Sequence, residues 1–168
     1  GIIGYGCMGS AFAEKLRGFG CKVIAYDKYK DGFSSDVVEE VSEEDFFEYS
    51  EVVSVHVPET AETRGMVEGV WLKRFKNQII FLNTSRGAVV KTSDLLDAMD
   101  DGIVRSAGLD VLEFEERALE GLELDEKSKA TLERLLANDQ ILITPHVAGW
   151  SIESYYKLSS FLADKILG

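Results

Sequence analysis

Short apolar runs alternate along the chain with longer amphipathic stretches, the pattern of a parallel sheet covered by helices on both faces. Strands are expected at Ile2-Ile3, Lys22 to Tyr26, Val52 to Val57, Gln78 to Leu82, Val104 to Leu109 and Gln140 to Ile143. Between them, Gly9 to Phe19 reads as a first helix, and Ser42 opens a second, with Asp45 three residues on as in a capping box. Lys91 to Asp100 is a third, with Thr92 or Ser93 as its cap and Gly102 as its stop. A fourth runs from Lys129 to Ala137. A closing helix, capped by Ser151, extends to Leu167 and carries apolar surface on Ile152, Tyr155, Tyr156, Leu158, Phe161, Leu162 and Ile166. The acidic stretch Glu113 to Glu126 lacks periodicity and reads as a surface loop. The expected fold class is α/β, a three-layer αβα doubly wound sheet in the order 3-2-1-4-5-6, with ligands at the strand ends.

Composition narrows the partners. The 168 residues, 45% of them hydrophobic, suit one domain spanning 1–168. With 30 acidic against 18 basic residues and a net charge of -12, nucleic acid and anionic membrane surfaces would be repelled. No apolar run approaches the ~18 residues that a membrane-spanning helix needs. Cys7 and Cys21 fit neither a disulfide framework nor a metal-ligand spacing, so no metal is expected and a reducing cytoplasm is. Gly1-Ile2-Ile3 reads as a strand already under way, which suggests a piece of a longer protein.

Chemistry first shows at Gly4-Tyr5-Gly6-Cys7-Met8-Gly9, a G-x-G-x-x-G segment between a strand and a helix. Gly4 permits a tight turn, Gly6 lets backbone approach a pyrophosphate, and Gly9 lets helix pack on strand. The helix's free amides and its dipole then favour phosphate. Asp27 ends the second strand, 18 residues after Gly9, where a carboxylate accepts hydrogen bonds from a ribose diol and repels a 2′-phosphate. The cofactor expected of this Rossmann-type arrangement is NAD, with NADP the weaker candidate even though Lys28 and Lys30 partly offset the repulsion.

Of the two histidines, His146 leaves the last expected strand in Thr144-Pro145-His146-Val147-Ala148-Gly149, whereas His56 lies in an apolar run. His146 is therefore the better acid or base, since imidazole exchanges protons near neutral pH. Arg86, in Asn83-Thr84-Ser85-Arg86-Gly87, offers a guanidinium for a carboxylate, or forms a surface ion pair. Asp110, Glu113 and Glu115 leave the next strand, and one of these carboxylates can orient the imidazole.

Taken together, the Gly4–Gly9 turn, Tyr26-Asp27, His56-Val57-Pro58-Glu59-Thr60 and the segments 83–87, 108–115 and 144–149 resemble the cofactor domain of the D-isomer-specific 2-hydroxyacid dehydrogenases. The family includes D-lactate and phosphoglycerate dehydrogenases. The resemblance implies an oxidoreductase in which Arg86 binds the substrate carboxylate and His146 carries the proton. By the family's spacing, Glu115, 29 residues after Arg86, is the histidine's partner, in preference to Glu113 and Glu116. It further implies pyrophosphate at the Cys7 and Met8 amides, adenine by Pro58, and the nicotinamide side formed by Thr84, Ser85, Asp110 and Gly149, within reach of Arg86 and His146. His56 would be structural or on the cofactor side.

The implied partners are a small 2-hydroxy or 2-keto acid and a second copy of the protein in a homodimer. Glu116 departs from the family, where a proline often follows the catalytic glutamate, and nothing in the chain supplies the family's substrate domain. The 168 residues are therefore expected to bind dinucleotide without efficient turnover. The competing readings are a regulatory protein that senses NAD(H) with the same domain, as corepressors resembling the family do, and a plain module for ATP or flavin.

Overall fold

The computed structural model describes residues 1–115 and 124–167. Its strands are β1 (Ile2–Ile3), β2 (Ile24–Tyr26), β3 (Glu39–Glu40), β4 (Val52–Val55), β5 (Ile79–Asn83), β6 (Val104–Leu109) and β7 (Ile141–Ile143). Its helices are α1 (Cys7–Leu16), α2 (Glu43–Tyr49), α3 (Gly69–Leu72), α4 (Thr92–Asp100), α5 (Glu126–Leu136) and α6 (Ile152–Leu167). All strand pairs are parallel, and the sheet order is β3-β2-β1-β4-β5-β6-β7.

The sequence pattern lacks one of these strands. β3 is two glutamates at the sheet edge, with Glu39 opposite Ile24 and Glu40 opposite Ala25. Lys22 pairs with Glu39 at 2.8 Å and the Phe33 amide donates to Glu40 at 2.8 Å, so an edge strand with no apolar run is stabilised by polar contacts. With β3 counted, the order 3-2-1-4-5-6 holds and β7 extends it. On the six-strand reading, Val52–Val57 would have been the third strand and lain outside β2; it pairs instead with β1 and stops at Val55.

Several helix ends also shift. α1 starts at Cys7, as soon as the glycine turn ends, and gives way to a 3-10 turn at Arg17–Phe19. Ser42 caps α2 as expected, accepting from the Asp45 amide at 3.1 Å. Neither Thr92 nor Ser93 caps α4, because the Thr92 amide donates to the Glu113 carboxylate from another loop at 2.8 Å. Asp125 caps α5 by accepting from Ser128 N at 2.8 Å, so this helix begins three residues before Lys129. Ser151 accepts from the Ser154 amide at 3.0 Å and opens α6, none of whose side chains is buried. Of the acidic stretch, Glu113–Glu115 are half-buried and not a solvated loop; residues 116–123, including Glu116, lie outside the described residues.

Two apolar layers sandwich the sheet. The larger joins Phe46, Phe47, Trp71 and Phe75 to Phe81, Leu95 and Leu96. Phe47 lies 5.1 Å from Trp71 and 4.7 Å from Phe75 between ring centroids, each such pair adding about 0.5–1.5 kcal/mol beyond area burial. The smaller layer, Ile2, Tyr5, Ala13, Val23, Ala25 and Val38, seats α1 on β1 and β2. Because every strand runs the same way, all seven C-terminal ends open on one rim. That rim carries the glycine turn, Asp27, Pro58, Arg86, Asp110, Glu115 and His146.

Candidate active site

At the end of β1 the chain turns on Gly4, whose φ of +88° is a conformation that side-chain-bearing residues rarely adopt. A Cβ on Gly9 would sit 2.1 Å from the Gly4 carbonyl oxygen, so the absence of a side chain is what lets α1 close on the turn. A Cβ on Gly6 would meet nothing within 4 Å, and Gly6 is the N-cap of α1 with no side-chain cap bond. The α1 terminus thus faces open space with its first amides uncapped, beside exposed Cys7 and Met8, which is what an anionic pyrophosphate requires.

Asp27 leaves β2 next door. Its carboxylate accepts from the Tyr5 amide at 2.7 Å and the Tyr29 amide at 2.9 Å, tying the glycine turn to the β2 loop. Pro58 lies in the loop after β4, where its carbonyl accepts the Thr63 hydroxyl at 2.6 Å. Gly4, Gly6, Cys7, Met8, Gly9, Asp27 and Pro58 therefore belong to the ends of the adjacent strands β2, β1 and β4. These residues fit NAD: open space for phosphates, uncapped amides to meet them, and a carboxylate at the end of the next strand.

The second half of the rim is built from three loops. Asn83, fully buried at the end of β5, donates to the Arg86 carbonyl at 3.0 Å and accepts from the Ser85 amide and hydroxyl at 3.0 and 2.8 Å. A Cβ on Gly87 would lie 2.0 Å from the Leu112 carbonyl oxygen, so glycine there lets the Arg86 loop touch the loop after β6. Arg86 itself is exposed and donates to the Ser85 carbonyl at 2.7 Å. Among the described residues it forms no ion pair.

Glu115 Oε1 lies 2.5 Å from His146 Nδ1, which settles between the carboxylates that the residues alone left open. Glu113 instead caps α4, and Asp110 anchors the histidine's own loop. Asp110, 6% exposed, accepts from the Thr144 hydroxyl at 2.5 Å and from the Val147 and Ala148 amides at 2.9 Å each. Burial raises its pKa, but these three donors and the nearby His146 outweigh burial and hold the carboxyl below its ordinary value. The bonds flank His146, whose φ of +53° makes it the single non-glycine residue with positive φ among those described. Such conformations cost free energy, persist only when their surroundings enforce them, and cluster at functional sites.

Arg86, Glu115 and His146 line one cavity of about 200 Å³ with Glu59, Gly87, Ala88, Val111, Leu112 and Glu113. Thr84 and Asp110 line a second space of about 180 Å³ with Phe12, Ser54 and Thr144. Ser85 is held by Asn83 behind the arginine. Gly149 lies past the histidine loop, lines neither cavity, and shows open space where a Cβ would be. His56 is also outside the Arg86 cavity: its Nε2 lies 2.9 Å from Ser54 Oγ, and burial lowers its pKa. Asn83, Thr144 and Glu59 stand inside motifs that the sequence singles out, but their parts in the site, bracing the Arg86 loop, bonding Asp110 and lining the cavity, were not assigned from the sequence.

Residues 1–148 match the family described as D-isomer specific 2-hydroxyacid dehydrogenase, NAD binding domain. A D-lactate dehydrogenase of Streptococcus agalactiae is 37% identical over 162 residues, 94% of this chain and 48% of that protein. A glyoxylate reductase of Korarchaeum cryptofilum is 34% identical over 169 residues, 99% of this chain and 47% of that protein. Among solved structures, the NAD-complexed D-isomer specific 2-hydroxyacid dehydrogenase of Lactobacillus delbrueckii ssp. bulgaricus superposes with a TM-score of 0.84 at 29% identity, covering 98% of this chain and 51% of that one. The chain spans about half the length of the curated relatives it matches. With the family's match covering the glycine turn, Asp27, Arg86, Glu115 and His146 alike, this chain belongs to the NAD-binding domains of the D-isomer-specific 2-hydroxyacid dehydrogenases.

Proposed function

We propose that the intact protein is an NAD-dependent oxidoreductase that transfers a hydride between NAD(H) and a D-2-hydroxy acid and 2-keto acid pair. The observation that carries this reading is the convergence of a guanidinium with no ion pair among the described residues, Arg86, and a carboxylate-bound imidazole, His146, on one cavity. A 2-hydroxy acid offers a carboxylate for the first and a hydroxyl proton for the second. Bound NAD supplies the hydride acceptor, or NADH the donor.

The chain's own residues do the rest. The Cys7 and Met8 amides would hold the pyrophosphate, with Gly6 leaving room for it, Asp27 would hold the adenosine ribose, and Pro58 would border the adenine; Thr84, Ser85, Asp110 and Gly149 would surround the nicotinamide side. In oxidation, His146 takes the hydroxyl proton at Nε2, the ring nitrogen that Glu115 leaves free. Glu115 at Nδ1 fixes the ring's orientation and stabilises the imidazolium. Arg86 pairs with the substrate carboxylate and polarises the developing carbonyl oxygen. Reduction reverses each role. A substrate domain outside residues 1–168 closes the cavity against water and reads the substrate's side chain, so these residues alone bind dinucleotide without efficient turnover.

Family resemblance supports a homodimer assembled through this domain, and the unpaired, exposed Cys7 and Cys21 suit the reducing cytoplasm. The test is an assay of the full-length protein with NADH against a panel of 2-keto acids, followed at the nicotinamide absorbance. Oxidation of NADH with at least one of them, giving the D-hydroxy acid, is expected. NADH binding with no keto acid reduced would overturn the enzymatic reading.

A further inference from the structure

The two lysines that follow Asp27 raise a question of selectivity, because either could neutralise a 2′-phosphate and so undo the discrimination that Asp27 provides. Both are already engaged. Lys30 donates to the Tyr5 carbonyl at 3.1 Å and lies 5.3 Å from the Tyr5 ring centroid and 5.9 Å from that of Phe33. Lys28 is ion-paired with Glu62 Oε1, and the Tyr29 hydroxyl donates to the other oxygen of the same carboxylate. Glu62 belongs to the loop after β4, which Thr60 and Thr63 brace: the Thr60 amide donates to Thr63 Oγ1 at 2.8 Å. One glutamate therefore bridges the loops after β2 and β4, at the adenosine end of the crevice.

We infer that Glu62 is a specificity-determining residue, which keeps Lys28 from receiving a 2′-phosphate beside Asp27 and so completes the selection of NAD over NADP. The inference rests on the NAD reading above. A 2′-phosphate brings a charge near ~-2 to a site where Asp27 is negative and Lys28 is already neutralised by its partner. Its cost is thus set by two carboxylates, one at the ribose and one a loop away. Among the described residues, the titratable groups that act on Lys28 are Glu62, Tyr29, whose ring centroid is 5.6 Å from Nζ, and Tyr26.

Glu62→Gln keeps the side chain's shape and removes its charge, which frees Lys28. Dissociation constants for NADH and NADPH, measured by fluorescence titration of this chain, give the ratio that decides. Because the pair is exposed and screened, the ratio is expected to move toward NADPH by about three- to tenfold. In Glu62→Gln/Lys28→Met the gain should vanish, and Glu133→Gln on α5, an equal loss of charge elsewhere, should not produce it. An unchanged ratio in Glu62→Gln overturns the inference while NADH binding by the unmodified chain leaves the NAD reading intact. So does a gain that survives Lys28→Met or is matched by Glu133→Gln. Absence of NADH binding to the unmodified chain sinks both.

Discussion

The two halves of the rim are built by different means. At the glycine turn the determinants are steric and local: Gly4, Gly6 and Gly9 lie in one six-residue segment, and what matters is where a Cβ would go. At the Arg86 side the determinants are polar and distant, since Glu115 meets a histidine 31 residues away and Asp110 grips amides 37 and 38 residues on. The first half fails by overlap and the second by loss of a tether. Substitutions in the two halves should therefore separate into changes of binding and folding on one side and changes of turnover on the other.

The largest effect is expected at the turn. Gly9→Val places carbon 2.1 Å from the Gly4 carbonyl oxygen, a backbone atom that cannot swing aside. Either α1 lifts from β1 or the turn opens, with a cost of roughly 3 kcal/mol or more, at the upper end of overpacking effects. Thermal unfolding together with NADH titration measures both losses. A variant that melts and binds like the parent would show that the close approach is not essential.

On the other side, His146→Ala should reduce turnover of the full-length protein by about 10²- to 10⁴-fold, the range for loss of a general acid-base group. NADH affinity should change little, because the ring faces a cavity separate from the glycine turn. Alanine also carries a Cβ, so the strain of φ +53° stays, and the melting temperature should move only by the loss of the half-exposed contact with Glu115. Retained turnover would remove the histidine from the mechanism.

This division also explains what could be read from the sequence. The glycine turn and Asp27 were legible because spacing within a short segment encodes the geometry directly. The strands of the sheet were legible where they were apolar; β3, two glutamates, was not, because it is held by backbone bonds to β2, Glu39 N to Val23 O and Val41 N to Ala25 O at 3.0 Å, which leave no apolar run to read. Arg86 and His146 could be nominated by position at strand ends. Glu115 could be picked out only by resemblance, since three carboxylates in six residues have equal local claims and only the fold decides which meets the histidine. The role of Asn83, though the residue opens the Arg86 motif, was hidden for the same reason: a buried amide that satisfies a loop carries no signature in its neighbours.

A smaller effect, and one with a pH signature, belongs to Asp110. In Asp110→Asn, an amide NH₂ must face either the Ala148 amide or the Val147 amide and Thr144 hydroxyl, so at least one backbone donor meets another donor. Loss of these charge-assisted bonds should cost about 1–3 kcal/mol and loosen the His146 loop, lowering turnover more than NADH affinity. The folded-state pKa of Asp110 is depressed. Its contribution is thus fully present above the unfolded carboxyl value, near ~3.9, and is lost as pH falls through the lower folded value. The gap in melting temperature between parent and Asp110→Asn should therefore be constant above about pH 5 and narrow toward pH 3. A gap independent of pH over that range would count against the carboxylate as the anchor.

The finest test compares Glu113 with Glu115, two residues apart in one turn and both lining the Arg86 cavity. Glu113 reaches away to the first amide of α4, where its charge also interacts favourably with the helix dipole; Glu115 reaches His146. Glu113→Ala should cost about 0.5–2 kcal/mol, the usual value of a lost N-terminal cap, and leave turnover within about threefold of the parent. Glu115→Ala should do the reverse, since its partner is a half-exposed ring that can find water while the acid-base function loses its orienting carboxylate. Melting curves and steady-state rates on the same two proteins measure both effects. If the two variants lose stability and turnover in equal proportion, the turn acts as a unit and the assignment of separate jobs to its two carboxylates fails.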